Sequence, residues 1–335
     1  MAAAPSRPPV WAYYYIWFNV SSWNRAKRDF PVLAKYSSDE PSIMREHISL
    51  AKQAGIDGFI VSWKSRPVLD QRLALLVRVA EEQDFKLAIM YQGLDFERRP
   101  LPIAKISMDL RRFERHFAAS PAFGAFGKPV VIWSGTWAFT PRHLERVVSA
   151  HRDRLRILGS ERNPADFVRK ANLFDGNAYY WSSVNPARQR NYLHKLATMG
   201  NAVHDRDGLW FAPAAPGFDG RLIGHPTVIP RNDGDTLRQE LDTAQRSAPD
   251  VIGLISWNEF SENTHIEPSH EYGTTALEVL ADVEGTRFEA KDDLDSSQGD
   301  RGQGPGPLPA TLGFIVFGLV AVWVIGRRKR SNAAA

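Results

Sequence analysis

Three carboxylates stand close together near the C-terminal part of the chain. Residues 251–255 form an apolar run, and the polar stretch after it contains Glu259, Glu262 and Glu267. On a strand, Glu259 and Glu262 would point to opposite faces, but in a turn after the strand both reach one pocket. Such a pair suits glycosidic-bond chemistry, in which one carboxyl protonates the leaving oxygen and the other acts as nucleophile or base. We therefore take Glu259 and Glu262 as the catalytic candidates.

Other kinds of site find little support in the sequence. The chain has no cysteine, which excludes disulfides, thiolate chemistry and Cys-ligated metals. His47, His204, His225 and His265 are scattered and form no HxH or HExxH spacing. There is no GxSxG elbow for acyl transfer. We expect neither a metal nor a cofactor.

Eight apolar strands alternate with eight helical segments between residues 10 and 283. The predicted strands are residues 11–18, 56–63, 86–92, 128–134, 156–160, 174–181, 209–215 and 251–257. The predicted helices are residues 40–54, 69–83, 110–119, 141–151, 163–171, 186–199, 236–247 and 274–283. This count predicts an α/β fold of the (β/α)8 TIM barrel type. A doubly wound open sheet is the competitor, but no Gly-rich phosphate loop follows the first strand.

In such a barrel the functional side chains lie where strands end and the following loops begin. Aromatic rings there would stack on sugar rings, and Asp95 and Asp219 would bind sugar hydroxyls. Any one of these aromatic residues could instead lie at the margin of the packed core, without contacting a sugar. Glu267 could instead be a loop residue that caps the eighth helix or pairs with an arginine. His265 could instead be an ordinary polar histidine of the loop. The candidate substrate-binding residues are Trp17, Trp63, Tyr91, Asp95, Tyr180, Trp181, Asp219, Trp257, Asn258, His265 and Glu267.

The charge of the chain is concentrated at its C-terminal end. The formal net charge is +4, and residues 327–330 supply all of that excess. The rest of the chain is formally neutral, so we expect no basic stripe on the folded part and no nucleic-acid partner.

Residues 308–326 are charge-free and mostly apolar, close to the length of about 20 residues that spans a bilayer. They predict a single C-terminal transmembrane helix, with a buried core helix as the alternative. The expected order is an N-terminal tail at residues 1–9, a catalytic domain at 10–283, a flexible, disordered linker at 284–307, the transmembrane helix at 308–326 and a basic tail at 327–335.

The basic tail predicts a cytoplasmic C-terminus, with the catalytic domain outside the cytoplasm in a single-pass cell-membrane protein. Export requires a signal, and residues 1–10 contain no apolar segment that could serve as a signal peptide. We expect the true start to lie upstream. The alternative is insertion by the tail, with the domain in the cytoplasm.

The stretch SWNEFSENTHIEPS at residues 256–269 resembles the signature of glycoside hydrolase family 99, the endo-α-mannosidases, and of related family 71/99-like and WbsX-type barrels. That pattern reads approximately W-N-E-W-x-E-G-x-x-I/L-E-P. The AYYYIWF of residues 12–18, the AGIDGFIVSW of residues 54–63 and the late Tyr272-Gly273 support the likeness, which spans residues 10–283. The departures are Phe260 for Trp, Ser261 where mannosidases have His, Asn263 for Gly and His265 for Gln.

The resemblance implies a retaining endo-glycosidase with substrate-assisted chemistry. Glu259 would be the base that activates the sugar's own 2-hydroxyl, which attacks the anomeric carbon to give a 1,2-anhydro sugar. Glu262 would protonate the leaving group and then activate water. The expected partners are a polysaccharide or glycan, α-mannoside-type among the candidates, and the membrane through the C-terminal helix. Two alternatives stay open: a WbsX-type glycosyltransferase or transglycosylase, and a non-catalytic glycan-binding surface protein.

Overall fold

The computed structural model describes residues 7–283 and 285–289. Eight parallel strands form one sheet in the order β5-β4-β3-β2-β1-β10-β7-β6. These eight strands are β1 (Val10–Tyr15), β2 (Gly58–Trp63), β3 (Lys86–Gln92), β4 (Val130–Ser134), β5 (Arg156–Leu158), β6 (Gly176–Ala178), β7 (Leu209–Ala214) and β10 (Val251–Leu254). Two short strands, β8 (Phe218–Asp219) and β9 (Val228–Ile229), form a separate pair. A parallel bridge between Gly159 and Asn177 joins the regions of β5 and β6 and closes the sheet into a barrel. The predicted (β/α)8 architecture is confirmed.

Each barrel strand is followed by a helix on the outside. The helices are α1 (Pro41–Gln53), α2 (Pro67–Glu82), α3 (Ile103–His116), α4 (Pro141–His151), α5 (Pro164–Val168), α6 (Tyr192–His204), α7 (Asp235–Gln245) and α8 (Thr275–Val283). Four of them begin with a proline, whose missing N–H would be unpaired there in any case. Thr140 caps α4 by accepting a hydrogen bond from the backbone N–H of His143.

The side chains of the barrel strands alternate between two buried layers. In β1, Trp11, Tyr13 and Tyr15 point into the barrel, whereas Tyr14 packs between the strands and the helices. Both layers are apolar, so the strands read as nearly continuous apolar runs in the sequence. The polar groups of the site therefore lie beyond the strand ends.

One element of the fold has no counterpart in the predicted pattern. The short strands β8 and β9 pair antiparallel in the connection between β7 and α7. Two-residue strands produce too short an alternation to be recognised in a sequence. This hairpin contacts the segment that carries the carboxylates, because the N–H of Asp219 donates to the carbonyl of Glu262 at 2.9 Å.

The described residues include 285–289, just past the predicted domain boundary at residue 283. Phe288 is buried and packs with the outer apolar layer. Within residues 7–283 and 285–289, no helix has the length and apolar character needed to cross a membrane. The predicted transmembrane helix at 308–326, the basic tail and most of the predicted linker lie outside the described residues.

Candidate active site

The carboxylates lie in the segment of residues 255–269 that follows β10, here called the acid loop. Its backbone is bonded to the neighbouring strands: the N–H of Ile255 donates to Ala214, and that of Trp257 donates to Tyr13, both at 2.8 Å. Within the loop, the N–H of Glu259 donates to the Ser256 hydroxyl at 2.8 Å. The loop is therefore attached to the carboxyl ends of β1 and β7, where a barrel places its catalytic groups.

Asn258 connects the acid loop to the end of β1. Its Oδ1 accepts from the N–H of Tyr15 at 2.8 Å, and its Nδ2 donates to the Tyr15 carbonyl at 3.0 Å. The side-chain amide thus continues the backbone pairing of the strand. Asn258 was predicted as a substrate contact, but the structure places this amide in a buried supporting position.

Glu267 is also buried and also supports the loop. Its carboxylate accepts a hydrogen bond from the Tyr36 hydroxyl at 2.8 Å and lies 3.0 Å from Nε2 of His47. Glu267 therefore neither caps α8 nor pairs with an arginine, the two alternatives predicted for it, because its carboxylate pairs with Tyr36 and His47. Both partners lie in the connection between β1 and β2, which explains how the far end of the acid loop is fixed.

Glu259 and Glu262 are both buried, and they differ in their surroundings. Glu259 Oε1 accepts from the N–H of Ser261 at 2.9 Å, whereas neither carboxyl oxygen of Glu262 has a hydrogen-bond partner among the described residues. Burial raises the pKa of Glu259 to about 7, although the Ser261 N–H and the charge of Lys27 act against that shift. The pKa of Glu262 is raised well above its usual range, first by burial and then by repulsion from Glu259. Glu262 is therefore the carboxyl that keeps its proton.

Two tyrosines lie beside the carboxyl pair at the carboxyl end of the barrel. The hydroxyls of Tyr15 and Tyr180 are 2.8 Å apart, and the Tyr180 ring packs edge-on against Tyr13 at 5.0 Å. Burial raises the pKa of both tyrosines well above the usual range, and the charges of Glu259 and Glu262 add to that effect. Both hydroxyls are therefore neutral hydrogen-bonding groups next to the two carboxyls. Tyr180 was predicted for this site, and Tyr15 was not.

A cavity of about 610 Å³ opens at this end of the barrel. Ser62, Gln92 and Ser134, at the carboxyl ends of β2, β3 and β4, form part of its lining, and Gln92 donates to Ser62 at 3.0 Å. Trp17 lines the cavity, as does Ser261, which stands between the two catalytic candidates in the chain; Glu259 and Glu262 themselves are not among the lining residues. The volume is within the range of small-molecule sites, about 300 to 1,000 Å³.

Four predicted substrate contacts pack their rings in the layer between strands and helices; Tyr91, Trp181 and Trp257 are absent from the cavity lining, whereas Trp63 is also part of it. Trp63, Tyr91, Trp181 and Trp257 all pack in the outer layer between strands and helices. The Trp63 indole N–H donates to Asp70 at 3.0 Å, and the Tyr91 hydroxyl donates to Asp109 at 2.9 Å. The reason is the two-residue period of a strand: in β2 the side chain of Ser62 points inward, and the ring of its neighbour Trp63, also a lining residue, packs on the outer side.

The two predicted aspartates occupy different positions. Asp95 lines the cavity, but its Oδ1 accepts from the backbone N–H groups of Glu97 and Arg99, which closes the turn after β3. Asp219 in β8 is buried and bonded to Arg221 at 2.6 Å and to Arg28 at 3.1 Å. Asp95 is therefore a cavity residue that also stabilises a turn. Asp219 stabilises the β8–β9 hairpin, and its backbone N–H joins the hairpin to the acid loop.

The residues at which the acid loop departs from the family pattern have separate roles. Phe260 and His265 stack at 4.0 Å, and His265 Nε2 lies 3.0 Å from Asp29 Oδ2, so His265 is a buried supporting residue. Burial lowers the pKa of His265 to about 4, which leaves its ring neutral. Asn263 has a φ of +55°, in the left-handed region where glycine, the residue of the family pattern, is favoured. Of the four departures, Ser261 lines the cavity.

The sequence analysis missed a group of basic side chains around the cavity. Lys27 follows β1, Lys64 and Arg66 follow β2, and Arg98 follows β3, and all four line the cavity. Since parallel strands end at one edge, their positions after successive strands are the signal that points to this grouping. The prediction of no basic stripe rests on the neutral formal charge of the chain outside residues 327–330, and such a total does not show a local group of cations in a cavity.

No protein-family model matches the chain. A curated relative, the glycoprotein endo-alpha-1,2-mannosidase-like protein of Danio rerio, is 22% identical in an alignment of 262 residues that covers 71% of this chain. The chain spans 58% of the length of that relative.

Solved structures resemble the fold over most of its length. A GH99 endo-alpha-mannosidase from Bacteroides thetaiotaomicron superposes with a TM-score of 0.67 at 18% identity, covering 78% of this chain and 87% of the other. A second structure, described as a glycoside hydrolase-like protein, has a TM-score of 0.64 at 17% identity and covers 85% of this chain and 95% of the other. The resemblance to family 99 expected from the sequence is confirmed, and these structures share the barrel.

Proposed function

We propose that this chain, a barrel similar to the family 99 endo-α-mannosidases, is a retaining endo-glycosidase that hydrolyses a polysaccharide or glycan. The observation that carries the proposal is the pair of buried carboxyls, Glu259 and Glu262, on the loop after the last barrel strand. They occupy the two glutamate positions of the family pattern, and the pKa of each is raised by burial. A carboxyl that holds its proton near neutral pH is what a general acid requires.

The surroundings of the two carboxyls support a division of roles. Glu259 is the more easily ionised, since the N–H of Ser261 and the charge of Lys27 favour its anion. Glu259 takes the proton of the substrate's 2-hydroxyl, and that oxygen attacks the anomeric carbon. The glycosidic C–O bond breaks as Glu262 gives its proton to the leaving oxygen. Ionised Glu262 then deprotonates water, which opens the 1,2-anhydro sugar at the anomeric carbon, and Glu259 returns its proton to the 2-oxygen.

The tyrosines beside the pair have a part in this scheme. Tyr15 and Tyr180 are neutral hydroxyls in contact with each other and next to both glutamates. They orient the sugar by hydrogen bonds and keep the site apolar enough for Glu262 to remain protonated. Trp17, which is half-buried, lines the cavity wall.

The proposal includes a cellular location for the enzyme. The apolar segment 308–326 and the basic residues 327–330 favour an anchor in the cell membrane, with the barrel outside the cytoplasm. A substrate in the cell envelope or the surrounding medium agrees with that placement. Protease accessibility of the barrel on intact cells tests it, and digestion only after lysis would contradict it.

The catalytic assignment is tested by screening the full chain against α-linked mannans, α-glucans and envelope glycans, with sizing of the products. We expect Glu259→Gln and Glu262→Gln each to lower hydrolysis by at least about 100-fold. Glu145→Gln, a change of the same type at an exposed position of α4, is the matched control and retains activity. Cleavage by both variants at the rate of the parent would refute the assignment. Products longer than the substrate, formed only with an added acceptor sugar, would replace hydrolysis by transfer.

A further inference from the structure

The cavity is unusually rich in positive charge. Among the described residues, its lining includes six Lys or Arg side chains and a single Asp or Glu, Asp95. The six are Arg25, Lys27, Lys64, Arg66, Arg72 and Arg98. A neutral sugar requires no such excess, because its hydroxyls are bound by neutral amides and carboxylates as readily as by cations.

Four of these charges have no ion-pair partner in the part of the chain that the structure describes. Arg72 is bonded to Asp39 at 2.7 and 2.8 Å. Lys27, Lys64, Arg66 and Arg98, in contrast, have no carboxylate at ion-pair distance within residues 7–283 and 285–289. Lys64 makes a hydrogen bond of 3.2 Å to the carbonyl of Leu94.

The folded protein bears a cost for keeping these side chains in the cavity. Burial lowers the pKa of Lys64 to about 8, and it also lowers the pKa of Lys27 and of Arg98. A half-buried cation without a counter-ion is destabilising, so an anionic ligand would recover that free energy on binding.

Stabilisation of the catalytic carboxylates explains only part of the cluster. Lys27 acts on the charge of Glu259, and Arg98 acts on that of Glu262. Lys64 and its neighbour Arg66 interact with each other and with groups of the β3 and α3 region, not with the acid pair. Their charges are therefore available for a different partner.

An aromatic ring stands beside these two cations. Phe96 has 47% of its surface exposed, and Lys64 Nζ and Arg66 Cζ lie 5.4 and 5.5 Å from its ring centroid. An exposed ring can stack on the C–H face of a sugar, while the adjacent cations reach a negative group on that sugar.

We propose that the cavity binds a glycan that carries an anionic substituent, held by Lys64, Arg66 and Arg98 beside Phe96. The substituent is a uronate carboxylate, a sulfate ester or a phosphate ester, all of which present charged oxygens to such cations. The inference rests on the proposed function, in that it names the class of glycan for the cavity that reaches the carboxyl pair at Ser261. Glu259 and Glu262 would then cleave a bond near the acidic sugar.

The test measures binding to the full chain carrying Glu262→Gln, which removes turnover. The probes are one α-linked tetrasaccharide in four forms: unmodified, 6-phosphorylated, 6-sulfated and oxidised to a carboxylate at C6. By titration calorimetry we expect at least one acidic form to bind about tenfold more tightly than the neutral form, the equivalent of about one charge-assisted hydrogen bond. The acidic form that binds most tightly identifies the substituent. The advantage should shrink at high salt, because exposed charges are screened.

Two double variants, each made in that background, locate the effect. Lys64→Gln with Arg66→Gln should abolish the preference for the acidic form. Arg115→Gln with Arg152→Gln removes the same charge from exposed positions at the C-terminal ends of α3 and α4, and should preserve it. Equal affinity for all four forms, or an equal loss in both double variants, would overturn the inference.

The outcomes separate this inference from the proposed function. Cleavage of neutral glycans by the parent chain, with no preference for acidic forms, would leave the hydrolase standing and remove the anionic substrate. Selective binding of an acidic form without cleavage by the parent chain would support the anionic ligand and contradict the proposed hydrolase. Tighter binding of a single-stranded oligonucleotide than of any acidic tetrasaccharide, lost in the Lys64 and Arg66 variant, would assign the cluster to nucleic acid and overturn the inference.

Discussion

Replacing Glu259 by glutamine should stabilise the fold at alkaline pH while it removes activity. The pKa of Glu259 is raised by burial from the ordinary 4.5 to about 7. A carboxyl with a raised pKa in the folded state binds its proton more tightly there than in the unfolded chain. Its stabilising contribution is therefore complete below about pH 4.5 and is lost as the pH rises through about 7.

The difference between those two pKa values corresponds to about 3 kcal/mol of unfolding free energy. Glutamine has no charge to bury, and its Oε1 can still accept the N–H of Ser261. At pH 8 the variant should therefore be more stable than the parent by up to about 3 kcal/mol, and at pH 4 the two should be nearly equal. Loss of Glu259 also removes the repulsion that raises the pKa of Glu262, so no new penalty arises.

The assay is urea unfolding of the full chain at pH 4 and pH 8, followed by tryptophan fluorescence. A gain of about 3 kcal/mol moves the midpoint by on the order of 1 M urea. Glu145→Gln, at an exposed site, controls for the change of net charge. If the variant and the parent had the same urea midpoint at pH 8, the argument that burial destabilises the Glu259 anion would be refuted. A rise in the midpoint at pH 4 as large as that at pH 8 would refute it as well.

Three further substitutions test the geometry of the site. Lys27→Gln removes a charge that favours the Glu259 anion, so the acidic limb of the pH profile of kcat/KM should move to higher pH. An acidic limb at the same pH as in the parent would contradict the electrostatic interaction between Lys27 and Glu259. Trp63→Phe should destabilise the fold by about 1–3 kcal/mol through loss of the buried bond to Asp70, with KM within about twofold of the parent. Trp17→Ala, at the cavity wall, should raise KM, and the opposite pattern for the two tryptophans would refute the assignment of faces.

The barrel could be predicted because its elements repeat and their ends are marked. The predicted strand at residues 86–92 and helix at 141–151 coincide with β3 and α4. Proline after Thr140 marks a helix start from local chemistry alone. The carboxyl pair was recognisable for a similar reason, since an apolar run that ends in acids marks a strand end.

The direction of the aromatic side chains was not predictable in the same way. Both faces of a barrel strand are buried, so β2 and β3 show no polar alternation to reveal which residues face inward. A shift of one residue exchanges Ser62 for Trp63 at the cavity. The parity of each strand is set by its hydrogen-bonded register with its neighbours, which is a tertiary property. The same holds for Lys27, Lys64 and Arg98, which lie far apart in the chain and meet where successive strands end.

The unpaired carboxyl of Glu262 is held in place by hydrogen bonds on both sides of it in the acid loop. A buried group without hydrogen bonds is destabilising, and a flexible loop would move it into water. Asn258 on Tyr15 and Glu267 on Tyr36 and His47 hold the two ends of the segment that carries it. These satisfied contacts keep Glu262 in the apolar surroundings that raise its pKa. Loosening any of them should therefore lower the pKa of the proposed acid before it unfolds the barrel.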